Sequence, residues 1–338
     1  MKTSNRPDAQ TLELLKRTAS SDSQIRAEAQ YEFAQALQTP LREGVLVGDV
    51  VRGLFEAMPL EPGAVAEFPL DLLAPGTESD HVAYTMPNQG RIPQRNVEGD
   101  YIQLPTFRTA NSIDWLLRYA ECANWNIIQR AMRVFEAGFV KKMNDDGFHT
   151  ILGAAVDRNI LIWDADANVG QLTKRLISLM KTTMARNGGG NTASIGRRKL
   201  TDVIMSPECV EGIRNWGIDQ VDELTRREIY VAGDGSDTLM RVFGVNIHEL
   251  IEFGEGQEYQ NFFNNQLGAA LNANTAQDVE LIVGMDLSKN DSMVMPIRRE
   301  LEVFNDEYLH REGRAGVYGW LECGYAVLDG RDLLLGSC

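Results

Sequence analysis

The side chains best suited to acid–base or metal chemistry are widely separated in this sequence. The four histidines are His81, His149, His248 and His310. Zinc sites on helices place two histidines on one face, a few residues apart. No second histidine stands three or four residues after any of these. We therefore predict structural or surface roles for all four histidines.

One acidic run resembles the beginning of a calcium-binding loop. Asp164, Asp166 and Asn168 alternate as the first ligands of such a loop do. However, Val169 stands where the loop needs glycine, and Arg175 stands where it needs a bidentate glutamate. The run is therefore predicted to be a helix-capping cluster and not a metal site.

Two glycine-rich segments could in principle cradle phosphate. The first, residues 187–191, follows a predicted helix instead of preceding one, and it lacks the lysine and serine or threonine that end a P-loop. The second, residues 233–237, is a glycine–aspartate turn of the same weak kind. No serine lies in a nucleophile elbow, and no cysteine–histidine pair is indicated. We predict no catalytic, cofactor-binding or metal-binding residues, and hence no enzyme.

The four cysteines are also far apart. Cys122, Cys209, Cys323 and Cys338 show no two-residue spacing of the kind found in zinc sites or redox motifs. We predict reduced and mostly buried thiols.

Composition and charge argue against nucleic-acid-binding and membrane proteins. A formal net charge of −15 and a pI near 4.8 mean repulsion from a phosphate backbone, which argues against a dedicated nucleic-acid-binding protein. The basic clusters at 197–199 and 298–299 are short and have no interleaved aromatics, so they are predicted to be solvated faces or subunit contacts. No run of about 20 apolar residues and no apolar signal region is present, so a soluble protein made in the cytoplasm is expected.

The N-terminal residues 1–43 are predicted to be a helical arm that Pro40 closes. Its apolar face is thin and rich in alanine, so its helices should need a partner surface. Residues 45–58 read as a short amphipathic helix that ends before Pro59.

The segment from Pro59 to Pro105 holds seven of the eleven prolines, which excludes helix. Alternating pieces at 65–68 and 100–104 bracket it like the legs of a long β-hairpin. So long a connection with few large apolar groups is either a floppy surface loop or an extended arm that becomes ordered on a neighbouring subunit.

The remaining elements predict a mixed α+β protein. An apolar stripe indicates a long helix over residues 124–145, which the Asp145-Asp146-Gly147 run should break. A second helix is predicted at 169–186 and a strand at 202–205, followed by the helix start Ser206-Pro207-Glu208. Strands follow at 242–247, 279–285, 300–304 and 315–328, so strands concentrate in the last third.

This succession of parts resembles the major capsid proteins of tailed double-stranded DNA bacteriophages, the Hong Kong 97-like capsid fold family. Three stretches carry the resemblance: residues 124–150, which look like the spine helix and its exit; 203–208; and 295–300 with 314–320, which look like the closing strands. The resemblance covers roughly residues 45–338.

The resemblance implies a division of the chain. Residues 1–60 would form the N-terminal arm and first helix, and residues 61–110 the extended loop, a β-hairpin over an adjacent subunit. Residues 111–205 would form the peripheral domain with its spine helix, 206–285 the axial domain, and 286–338 the return strands of the peripheral domain.

The implied function is self-assembly as pentamers and hexamers into the icosahedral head that encloses double-stranded DNA, without sequence-specific binding. The implied location is the virion, with assembly in the host cytoplasm. Expected partners are a portal, a cement or decoration protein and a separate scaffolding protein, since only about 44 residues precede the first predicted core helix. No cofactor and no membrane contact are expected.

Three alternatives remain open. The nearest is an encapsulin-type bacterial nanocompartment shell, which resembles the same fold; the long hairpin and the N-terminal arm favour a phage. An acidic cytosolic enzyme would show a clustered polar pocket in a small oligomer. A tail-tube or decoration subunit is disfavoured by the chain length and the long helix.

Overall fold

The computed structural model confirms a mixed α+β protein. It describes residues 9–61, 63–69, 101–122, 124–167, 170–187, 198–216, 240–267, 280–288, 292–306 and 308–338. The helices are α1 Ala9–Thr18, α2 Ser23–Gly48, α3 Leu117–Glu121, α4 Trp125–Asp157, α5 Lys174–Asn187, α6 Pro207–Arg214 and α7 Glu258–Phe262. The strands are β1 Glu56–Pro59, β2 Glu67–Pro69, β3 Tyr101–Gln103, β4 Phe107–Leu116, β5 Leu161–Ile162, β6 Asp202–Met205, β7 Met240–Val242, β8 Val245–Glu249, β9 Leu281–Met285, β10 Met293–Asn305, β11 Arg314–Cys323, β12 Ala326–Val327 and β13 Leu333–Ser337.

The chain divides into two compact units. The first comprises residues 1–66, 103–147 and 295–325, and the second comprises 67–102, 148–294 and 326–338. These bounds differ from the predicted division, and the names peripheral and axial stay predictions. Within the part of the chain that the structure describes, none of the helices has the length and apolarity to cross a membrane.

Pro40 does not end the N-terminal helix. It lies inside α2, whose buried residues Phe33, Leu37, Leu41 and Val45 continue at helical spacing on both sides of it. Burial of that face outweighs the backbone bond that proline removes. The helix predicted at 45–58 is therefore wrong, since α2 ends at Gly48 and a short 3-10 turn leads into strand β1.

The two N-terminal helices find their partner surface within the first unit. Leu15 of α1 is fully buried, and the ring of Phe33 meets Trp115 of β4 edge-on, with 6.4 Å between centroids. The side chain of Asn305 donates a hydrogen bond to Gln30 at 3.1 Å. The predicted dependence of these helices on a partner surface is thus met by β4 and β10 of the same unit.

Helix α4 is longer than predicted. Its stripe is buried as expected, at Ile128, Met132, Phe135, Phe139 and Met143. The expected break at Asp145-Asp146-Gly147 is wrong. Gly147 lies inside the helix. A side chain at this position would collide with Val51, so the glycine permits a close approach of Val51 and does not end the helix. Lys142 holds Asp146 at 2.6 Å across one helical turn.

The first unit contains most of a sheet with strand order β1-β10-β11-β4. Strand β11 pairs antiparallel with β4 along its whole length, from Arg314 opposite Leu116 to Cys323 opposite Phe107. Helix α4 packs on one face of this sheet, where the Asn111 side chain donates to the carbonyl oxygen of Phe135 at 3.2 Å. Gly319 lies directly against the Phe135 ring. Side chains on alternate positions therefore point away from the helix.

The predicted hairpin legs are present. Strands β2 and β3 pair with each other in a two-stranded sheet, and the Leu104 N–H donates to the Ala66 carbonyl at 2.9 Å. The two ends of the long proline-rich segment therefore lie side by side. Residues 70–100 lie outside the described residues.

The second unit contains a sheet with the order β5-β13-β9-β6-β8-β7. Strand β6 occupies the predicted residues, and Ser206 caps helix α6 by accepting from the Cys209 N–H at 3.2 Å, as predicted. Helix α5 begins at Lys174 and not at Val169, because Thr173 accepts from the Leu176 N–H and so marks the helix start.

Replacing Phe135 by aspartate should strongly destabilise the protein, because Phe135 is fully buried and an unpaired carboxylate would enter the packing of α4 on the sheet. We expect a loss of roughly 3–5 kcal/mol in the free energy of unfolding. The matched control is Val134→Asp, since the neighbouring Val134 side chain is 59% exposed. Equal denaturant midpoints for the two variants would show that this face of α4 is not core.

Candidate functional site

The histidines occupy separate structural positions. The His149 ring stacks on Phe262 with 3.8 Å between centroids, and His248 Nε2 lies 2.9 Å from Asp202 Oδ1. His310 is in a 3-10 turn, and His81 lies outside the described residues. Among the residues that the structure describes, no group of three or more histidines, cysteines or carboxylates could hold a metal.

The acidic run at 164–168 supports the start of helix α5. Asp164 Oδ2 accepts from the hydroxyl of Thr173 at 2.6 Å, and Thr173 caps the helix. Arg175 forms ion pairs with Asp164 and Asp166. The helix cap is therefore Thr173 and not the acidic cluster, which supports the helix start through Asp164 and Arg175. Asn168 and Val169 lie outside the described residues, as do the glycine-rich segments 188–190 and 233–237.

One arginine of the basic cluster at 197–199, Arg198, does not lie on a solvated face. Arg198 is 6% exposed, and its guanidinium forms ion pairs with Asp329 and, at 2.8 Å, with Asp332. Burial raises the pKa of Asp332 to about 6, and Arg198 opposes that rise. Asp332 is fully buried, as is Asp286, which accepts from the Lys199 N–H at 2.7 Å. The prediction was wrong for Arg198 because its partners lie more than a hundred residues further along the chain.

An apolar pocket in the first unit ends in an ion pair. Met143, Leu301 and Leu321 contribute to its wall, and Arg52 and Glu300 also line it. The guanidinium of Arg52 donates to both carboxylate oxygens of Glu300, at 2.8 and 3.2 Å. This bidentate contact holds the pKa of the Glu300 carboxyl below its usual range. The pair joins the segment after α2 to strand β10.

The most distinctive surface is the sheet face that points away from α4. It carries Phe304 of β10 with Tyr318 and Trp320 of β11, all partly exposed. Phe304 stacks on Tyr318 at 5.5 Å and meets Trp320 edge-on at 5.3 Å. On the adjacent strand β4, small side chains stand opposite them, since Ala110 pairs with Trp320 and Ser112 with Tyr318. We call these three rings the aromatic face.

Charged side chains surround the aromatic face. Arg108 lies over the Trp320 ring at 4.7 Å, and Glu302 accepts from the Trp320 indole N–H at 3.2 Å. Four arginines form ion pairs with three carboxylates around this face. These pairs are Arg108–Glu322, Arg298–Glu322, Arg299–Glu302 and Arg314–Asp114.

Sequence reasoning missed the aromatic face. The alternation at 300–304 and 315–328 indicated strands, but it did not indicate which alternate set would face the helix. The sequence does contain a signal for the aromatic face. Tyr318 and Trp320 alternate along one strand, and Phe304 would share their face once the two strands pair. Rings at such positions are costly to leave in water and are typical of contact surfaces.

Comparisons with known proteins identify similar folds among solved structures. Neither a protein-family model nor a curated protein matches the sequence. Solved structures do match. A chain from Microbacterium phage Oxtober96 gives a TM-score of 0.58 at 10% identity, over 86% of this chain and 90% of that chain. A chain from Mycobacterium phage Bobi gives 0.53 at 14% identity, over 86% and 89%.

A third match comes from the capsid of Myoviridae phage XM1. It gives a TM-score of 0.51 at 15% identity, over 85% of this chain and 90% of that chain. The chain therefore has the fold of tailed-phage capsid proteins, the Hong Kong 97-like fold. The resemblance inferred from the order of sequence elements is confirmed at the level of the fold.

Glu300→Gln should weaken the first unit at neutral pH by roughly 1–2 kcal/mol, because Arg52 loses a charged bidentate partner. The folded-state pKa of Glu300 lies below its unfolded value, so its contribution is complete above that unfolded value and is lost as pH falls through the folded one. The difference in unfolding free energy between parent and variant should therefore shrink between about pH 6 and pH 3.

The control for this measurement is Glu312→Gln, since Glu312 is an exposed carboxylate. Its unfolding free energy at neutral pH should be close to the parent's. If the difference in unfolding free energy between the parent and Glu300→Gln stayed constant from about pH 6 to pH 3, a lowered pKa of Glu300 would be contradicted.

Proposed function

We propose that this chain is the major capsid protein of a tailed double-stranded DNA bacteriophage, a shell subunit that works by assembling with copies of itself. The observation that carries the proposal is the shared fold with a chain of the XM1 capsid over 85% of this chain. The contacts of His149, Asp164 and Asp332 also support it, because each of these side chains makes a structural contact.

A second line of support comes from the segment between β2 and β3. A two-stranded ribbon is only marginally stable alone and needs a surface to pack on. The sequence from Pro59 to Pro105 contains seven acidic residues and two arginines. Four arginines surround the aromatic face, so cationic partners are available there for the carboxylates of this segment.

The occupant of the aromatic face is therefore the acidic 59–105 segment of a second copy. Its apolar side chains would cover Phe304, Tyr318 and Trp320, and its carboxylates would compete for the surrounding arginines. Each copy would then donate its own segment to one neighbour and accept the segment of another. This is a heterologous contact, and it closes into rings when the rotation between copies allows it.

In this proposal the parts of the chain take the following roles. Residues 61–110 form the extended loop, residues 111–205 with 286–338 the peripheral domain, and residues 206–285 the axial domain around five-fold and six-fold centres. Pentamers and hexamers close an icosahedral head around double-stranded DNA, with a portal at one vertex and with help from a separate scaffolding protein. A cement protein could bind the finished shell from outside, and assembly would take place in the host cytoplasm.

Replacing residues 70–100 by an Asn-Gly turn should abolish assembly and leave the fold intact. Strands β2 and β3 are already paired, so a two-residue turn can join them. Removing all of 61–110 would be a poorer test, because β4 begins at Phe107 and pairs with β11. Negative-stain electron microscopy of the parent, expressed alone and with its genomic neighbours, should show shells, tubes or rings, and the variant should show none.

The control replaces the same residues with a Gly/Ser segment of equal length, which keeps the connection and removes the acidic and apolar side chains. Both variants should unfold with the parent's cooperativity. Complete shells from the Asn-Gly variant would contradict the role of this segment. Small particles from the parent under every condition would contradict the shell function itself, and particles that carry an enzyme in place of DNA would indicate a bacterial nanocompartment.

Charge reversal tests the docking face separately. Arg298→Glu with Arg314→Glu should reduce the yield of shells at least tenfold, because the face would repel the acidic segment. Both side chains are exposed, so the isolated subunit should stay folded, with a modest loss of stability because the pairs with Glu322 and Asp114 are broken. Adding Glu98→Lys and Asp100→Lys should restore shells. The control pair is Arg17→Glu with Arg186→Glu, on the exposed sides of α1 and α5.

If the reversed protein assembles normally, or if the lysine changes do not restore assembly, the segment docks on another surface. Neither result would affect the proposed shell function.

A further inference from the structure

Two cysteines that are far apart in the sequence meet in the second unit. Cys209 lies in the first turn of α6, and Cys338 follows strand β13. Their sulfur atoms are 3.0 Å apart, across a sequence separation of 129 residues. Cys209 is 1% exposed and Cys338 is 9% exposed, and both belong to the apolar core of that unit.

Both backbones are held in place independently of the sulfurs. The Cys209 N–H donates to the fully buried Ser206 hydroxyl, and Pro207 fixes the first turn of the helix. Cys338 exchanges two backbone hydrogen bonds with Glu280, each 3.1 Å long. The approach of the two sulfurs is therefore built into the fold.

We propose that Cys209 and Cys338 form an intrachain disulfide when the protein meets a two-electron oxidant. A disulfide bond is about 2.05 Å long, so each sulfur has to move by roughly half an ångström, which rotation about the Cα–Cβ bonds supplies. The fitting oxidant is a small peroxide, because both thiols are buried. The other two cysteines have different surroundings: Cys122 is exposed, and Cys323 is buried beside the Tyr325 hydroxyl at 3.9 Å.

The chemistry is balanced by one peroxide molecule. A thiolate of the pair attacks one peroxide oxygen, the O–O bond breaks, and a sulfenic acid and hydroxide are formed. The second thiol then attacks the sulfenic sulfur, the S–S bond forms and water leaves. The two thiols lose two electrons and two protons in total, and peroxide is reduced to two molecules of water.

The surroundings make this reaction slow and its product durable. Contact with Cys209 and burial raise the pKa of the Cys338 thiol, so little of the nucleophilic thiolate is present at neutral pH. The same burial should shield the finished disulfide from soluble thiols. Both thiols are buried, so the pair differs from a catalytic or signalling dithiol, which is exposed.

The oxidation itself does not depend on the proposed function, but its use does. The cytoplasm keeps thiols reduced, whereas the medium outside a cell is oxidising. If the chain is a shell subunit, the bond forms after the particle leaves the host. It then joins helix α6 to the end of the β13 strand and so limits the unfolding of the second unit.

The test uses the full chain carrying Cys122→Ser, which removes the exposed thiol. The protein is treated with a small excess of hydrogen peroxide at about pH 8.5, where more thiolate forms. We expect a mass loss of two hydrogens, a non-reduced peptide linking residues 209 and 338, and one remaining titratable thiol, that of Cys323. The thermal midpoint should rise by roughly 5–10 °C and return on reduction.

Cys209→Ser and Cys338→Ser should each abolish the linked peptide and the reversible thermal shift, and Cys323→Ser should keep both. Three titratable thiols after oxidation of the folded protein, or a linked peptide that joins a different pair, would overturn the proposal. Because these readouts come from isolated subunits, they do not change if the shell function proves wrong.

Discussion

The packing of helix α4 on one face of the sheet is the constraint on which the first unit depends. Phe135 fits against Gly319, where any larger residue would collide with its ring, and Phe139 meets Phe135 edge-on at 5.1 Å. Because strand side chains alternate, fixing which set faces the helix also fixes which set faces outward. The aromatic face therefore follows from the choice of glycine at 319, and a shift of register by one residue would bury Tyr318 and Trp320.

Much of this fold could be predicted from sequence, and the successes share a cause. The buried stripe of α4, the capped start of α6 at Ser206 and strand β6 all depend on residues within a few positions of one another. The two legs of the hairpin were also visible, because proline and alternation are local signals. Such features need no knowledge of what packs against them, so the order of parts was enough to indicate the capsid fold.

The failures come where a distant contact outweighs a local signal. Pro40 and Gly147 are helix breakers by propensity, but each lies in a helix that is held by burial along its length. Arg198 was predicted to be part of a solvated cluster, but it is buried against two carboxylates on the turn before β13. Two further features depend in the same way on which strands become neighbours. They are the contact between Cys209 and Cys338 and the position of Phe304 and Trp320 on one face of the sheet.

The charges of this protein fall into two groups that respond differently to ionic strength. Arg198 and Asp332 are enclosed by the second unit, where dissolved salt scarcely weakens their attraction. The arginines around the aromatic face stand in water, and at physiological ionic strength their field fades within about 8 Å. Raising the salt concentration should therefore loosen contacts made through that face while the subunit itself stays folded. Folding and association can then be controlled separately, by the position of each charge and not by its number.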